Sequence, residues 1–131
     1  MTQFWANVSL DDSEIEVLER ALQHYLEVCR QEIKRGGGLP FETHRRTIRR
    51  LRALNRTNLK KHGMLCIDYF EMGAVGPALR SYLQSCGKTR RKHKDMRDKR
   101  ILKKLHATLK RAVDEAIIRG SISLAMRSKI R

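Results

Sequence analysis

Apolar residues return every three or four positions along most of this chain, the spacing that keeps them on one side of an α-helix. Ile15, Leu18, Leu22, Tyr25, Leu26, Cys29 and Ile33 form the clearest series and predict a helix over residues 12–35. Asp11 stands where its side chain accepts from the free N–H groups of the first turn, and Glu14 is placed to bond back to the Asp11 backbone. The early acids also suit the positive end of the helix dipole. Lys34 and Arg35 lie in the last turn, and Gly36, Gly37 and Gly38 then supply the backbone freedom that stops a helix.

Leu39 and Pro40 open a second helix, since proline in a first turn loses no hydrogen bond. Phe41, Ile48, Leu51 and Leu59 fall within a narrow arc of it. Asn55, Thr57 and Asn58 are weak helix formers, so this helix is expected to end between Leu54 and His62, with Gly63 as its latest stop. From Met64 the pattern blurs. Leu65, Cys66, Ile67, Tyr69 and Phe70 fit either a buried helix or a short strand, and helix is preferred for consistency with the neighbours. Gly73 to Gly76 reads as a turn, and Pro77 to Gln84 as a short helix closed by Gly87.

Residues 88–100, KTRRKHKDMRDKR, form a basic connector. A last long helix over residues 95–119 puts Ile101, Leu102, Leu105, Leu109, Ala112, Val113, Ala116 and Ile117 on one face. Gly120 is expected to end it, leaving residues 121–131 for a short final helix. The lead-in holds Phe4, Trp5, Val8 and Leu10 and is expected to staple onto the first helix. The expectation is an all-α fold, a single compact helical domain of five or six helices over residues 1–131, in which strands play no part.

Charge changes the picture most. The 131 residues carry 29 Lys and Arg against 14 Asp and Glu, a formal charge of +15. Residues 1–42 are net acidic, at −4, and residues 43–131 are at +19. Such asymmetry points to a polyanion-binding part joined to a part with another task. On the second helix Arg45, Arg49, Arg52, Arg56 and Lys60 make one stripe, flanked by Arg46, Arg50 and Lys61. Like charges one turn apart repel by up to about 0.5 kcal/mol per pair, and a phosphate backbone reverses that sign. Arginine predominates, which suits forked bonding to phosphate oxygens. A second basic group comprises Lys88, Arg90, Arg91, Lys92, Lys94, Arg97, Lys99 and Arg100, continued on the last helix by Lys103, Lys104, Lys110 and Arg111. The bland reading of the stripe is a solvated face or a face neutralised by the acidic first helix, and that of the second group is a nuclear-targeting signal or an inert tail; the eight acids of residues 1–42 cannot offset the twenty-five bases of the rest of the chain.

The expected function is therefore non-enzymatic binding of RNA or DNA through its phosphates, as a small subunit of a nucleoprotein assembly. The acidic first helix remains available to a protein partner. One alternative is an interaction module or inhibitor docking on an acidic protein surface. Another is a helix-turn-helix DNA regulator built from Leu65–Met72, the glycine turn and Pro77–Gln84, with Arg80, Ser81 and Gln84 toward base edges. Aromatic residues are only 5 % of the chain and are placed mostly at expected core positions, which disfavours stacking on single strands. The five histidines show no metal-ligand spacing, so no metal or cofactor is expected. Gly36 to Gly38 lack the Lys-Ser/Thr of a phosphate loop. Cys29, Cys66 and Cys86 are an odd number without a CxxC pair, which fits a reduced intracellular setting, cytoplasmic or nucleoid. No targeting signal is expected, and no apolar run approaches the roughly 20 residues a membrane span needs.

Overall fold

The computed structural model describes residues 5–86 and 92–129, with side chains over residues 5–86 and 96–119. In chain order the elements are β1 (Trp5–Ser9), α1 (Asp12–Lys34), α2 (Leu39–His62), β2 (Met64–Asp68), α3 (Tyr69–Cys86) and α4 (Lys92–Lys129). The chain is thus mostly helical, with four helices among the described residues rather than five or six. It also holds a small antiparallel sheet that the helical reading left out.

The first two helices follow from their local sequences. Asp11 caps α1 through a 2.8 Å bond from the Glu14 N–H, and the Glu14 carboxylate accepts from the Asp11 N–H at 3.1 Å. Gly36 has a φ of +85°, as the chain turns away from α1. Pro40 lies in the first turn of α2, and Gly63 closes that helix with left-handed backbone, φ 59°. A side chain at Gly63 would bring its Cβ within 3.0 Å of the Leu10 carbonyl oxygen. The chain is tight here because the Leu10 N–H donates to the Gly63 carbonyl at 2.7 Å.

That bond continues the sheet. β1 pairs with β2 from Trp5 opposite Asp68 to Ser9 opposite Met64. Ala6 and Val8 of β1 and Leu65 and Ile67 of β2 are buried, while their neighbours face outward, a period of two that packs one sheet face on the core. The lead-in is therefore a strand and not a staple.

The expected turn at Gly73–Gly76 is also corrected: α3 runs through it without a break. Asp68 and Glu71 repeat the reciprocal cap of α1, with the Glu71 N–H bonding Asp68 at 2.7 Å and the Asp68 N–H bonding Glu71 at 2.9 Å. This starts the helix at Tyr69 and ends β2. Ala74, Val75, Ala78 and Leu79 then bury one face, which outweighs the bond lost at Pro77. The two short helices of a helix-turn-helix are one helix. Likewise α4 passes Gly120 and continues to Lys129, since one helical glycine costs only about 1 kcal/mol. Its buried residues Leu102, Leu105, Leu109, Val113 and Ala116 join those of the other elements in one core. No helix of the described residues is long and apolar enough to cross a membrane.

Candidate nucleic-acid interface

The bases of the α2 stripe meet different surroundings at the two ends of the helix. Arg52 points at α1, where its guanidinium bonds Gln23 at 3.0 Å and Glu19 at 3.2 Å. Arg56 and Lys60 line a hollow of about 380 Å³ beside it, shared with Asp12 and Glu19. This end of the stripe meets the acids of α1, as the alternative of a face neutralised by the first helix expects. Arg45 and Arg49 lie farther toward the start of α2, with Arg46 and Glu42, around a smaller hollow of about 210 Å³. Arg46, Arg49, Arg50, Arg56, Lys60 and Lys61 are exposed, and among the described residues Arg52 is the only base of α2 in an ion pair.

On α4, Arg100, Lys103, Lys104, Lys110 and Arg111 are exposed and Lys99 is half-buried. Arg97 donates to the Ser13 hydroxyl at 3.0 Å and so ties α4 to the start of α1. Among the described residues no base of α4 is paired with a carboxylate. Lys88, Arg90 and Arg91 lie outside the described residues, as do the side chains of Lys92 and Lys94 on the first turn of α4.

One acid counted with the basic connector has a different place. Asp98 is 3 % exposed and takes two bonds from the Arg20 guanidinium, at 3.0 and 3.1 Å. Tyr82 adds a third, at 3.3 Å. A buried carboxylate needs such partners to stay charged. Its spacing with Leu102, Leu105 and Leu109 was the sequence signal for its burial. The acids of α1 are similarly engaged: Glu16 pairs with Arg20, Glu19 with Arg52, Glu27 with Arg30 and Glu32 with Arg35. The surface expected to meet a protein partner is largely neutralised by the chain itself.

Sequence reasoning placed the aromatic residues in the core, and three are outside it. Trp5 is 54 % exposed, Tyr69 63 % and Phe70 85 %. Trp5 and Phe70 border a groove of about 520 Å³ together with Leu54, Arg50, Asn58 and Glu71. Burial holds the Glu71 carboxyl above its ordinary range there. Tyr69 and Phe70 also border a second hollow, of about 380 Å³, between α3 and α4. Its polar lining is Arg80, His106, Lys110 and Asp114, none of which the charge pattern alone brings together except along α4. Burial, with the nearby charges of Arg80 and Lys110, depresses the pKa of His106.

Other polar groups are structural. Tyr25 and His44 share a 2.7 Å hydrogen bond between α1 and α2, and burial pushes the Tyr25 hydroxyl up to about 12. Among the described residues no group of three metal-ligating side chains converges. No family model matches the chain, and no curated protein or solved structure matches it either.

Proposed function

We propose that the chain binds the phosphate backbone of RNA or DNA through the exposed cations of α2 and α4, and acts by binding rather than by catalysis as a small component of a nucleoprotein assembly. The observation that carries this reading is that α2 bears eight Lys and Arg, of which Arg52 alone is in an ion pair among the described residues. The rest repel one another on neighbouring turns, a cost that contact with a polyanion converts to attraction. The described side chains of α4 add further exposed bases without carboxylate partners, a second place for phosphate contact.

Filter binding at about 0.15 M salt tests it. The expected result is retention of RNA or DNA with little dependence on sequence, falling with salt by about 0.9 in logarithmic slope for each duplex-DNA phosphate contacted. Arg46→Glu, Arg49→Glu and Lys61→Glu together should weaken binding at least tenfold while circular dichroism stays helical. These three positions are exposed and outside the ion pairs that hold α1 to α2. No retention of either nucleic acid by the wild-type chain overturns the proposal and favours an acidic protein surface as the partner.

A further inference from the structure

We propose that the hollow between α3 and α4 receives one unpaired nucleotide, its base against Tyr69 and Phe70 and its phosphate on Arg80 and Lys110. The inference rests on the backbone-binding reading and adds to it a substrate class: single strands, loops or bulges, whose bases are free to leave the stack.

Four features of the hollow support it. Tyr69 and Phe70 are large apolar rings left in water at the first turn of α3, where the cap formed by Asp68 and Glu71 fixes the backbone that carries them. Exposed aromatic faces beside cations are what base stacking uses. The floor is bare: Gly73 and Gly76 sit on the lining, and a Cβ at Gly73 would meet nothing within 4 Å. Over Gly76 two nitrogens converge, His106 Nε2 at 3.5 Å and Arg80 Nη1 at 3.6 Å from the place a Cβ would occupy. Lys110 lies one helical turn beyond His106 and shares the same lining. The volume, about 380 Å³, is at the lower end of the roughly 300–1,000 Å³ of small-ligand sites.

The charges choose the occupant. An apolar peptide segment laid over the rings would take Arg80 and Lys110 out of water without partners, a penalty that a phosphate removes. Asp114 is the one acid on this lining and leaves the cations in excess. It offers an acceptor to an exocyclic amino group of a base. Phe70 also borders the groove of Trp5, Leu54 and Arg50, which gives the adjoining nucleotide a second apolar surface and a further cation.

The decisive comparison uses the full chain with two fluorescent single strands of equal length and charge, an oligodeoxyadenylate and its fully abasic counterpart. The pocket requires the strand with bases to bind about tenfold tighter or more. Tyr69→Ala with Phe70→Ala should erase that difference and leave abasic binding intact. Both rings are exposed, so the fold tolerates their loss, and Gly73→Leu, which fills open space, provides a second variant with the same expected outcome. Equal binding of the two strands by the wild type overturns the pocket while leaving backbone binding standing. Failure to bind either strand at about 0.15 M salt while duplex DNA is still retained overturns the pocket alone, and failure to retain the duplex as well overturns both readings. A preference for bases that survives in both variants also overturns the pocket, since the bases are then held elsewhere.

Discussion

Asn55 shows how a single residue can be misjudged by propensity and explained by place. It is a weak helix former in the middle of α2, yet it is 2 % exposed. Its carboxamide donates to the Leu51 carbonyl at 2.9 Å and to the Cys66 carbonyl at 3.0 Å, and accepts from the Cys66 N–H at 2.7 Å. The side chain thus acts as a further strand at the open edge of β2, satisfying backbone groups that would otherwise be buried unpaired. Asn55→Ala is expected to destabilise the fold by about 2–3 kcal/mol in urea unfolding, because it strands a donor and an acceptor together. Asn55→Asp keeps the acceptor and should still lose stability, since the carboxylate cannot donate to either carbonyl.

Among the elements, α3 departs furthest from local expectation. Two glycines and a proline within its sequence argue for a turn, and the buried face of Ala74, Val75, Ala78 and Leu79 overrides them. Gly73 gains nothing from packing, since open space surrounds its Cβ direction and its backbone is helical. Gly73→Ala should therefore raise the thermal midpoint, with a gain of about 0.5–1 kcal/mol from the lower entropy of the unfolded chain. Helices α1 and α2 were legible because their caps and stripes agree, and α4 because its leucines keep strict helical spacing. The sheet was missed although its signal is present: Ala6 and Val8 alternate with Asn7 and Ser9, and Asp68 with Glu71 repeats the spacing of Asp11 with Glu14. Five-residue strands give too few periods to compete with long helices on either side. The basic interface was legible as charge only in part. Arg52 and Asp98 needed the third dimension, because the partner of each lies on another element. Exposure of Trp5, Tyr69 and Phe70 was equally hidden, since an aromatic residue at the edge of a strand or the start of a helix has no sequence mark of the side it faces.

At the scale of the molecule, protonation joins the packing to the surrounding medium. His24 and His44 are pushed toward their neutral forms by burial, and His106 by burial together with Arg80 and Lys110. Unfolding returns these rings to the ordinary range near 6.5, so the unfolded chain binds more protons as the pH drops through that value. Stability should be higher near pH 7 than near pH 5, read as a lower melting temperature at the lower pH at constant ionic strength. Glu71, held high by burial, opposes the trend only in the carboxylate range. The pairing of β1 with β2 has a further consequence for how the molecule is made. The partner of Trp5 is Asp68, so the first strand leaves the ribosome well before the segment that completes its hydrogen bonds. Until α2 has been synthesised and β2 follows, Ala6, Val8 and Leu10 have no sheet to enter, and the nascent chain exposes an unpaired edge at its most concentrated site, the polysome.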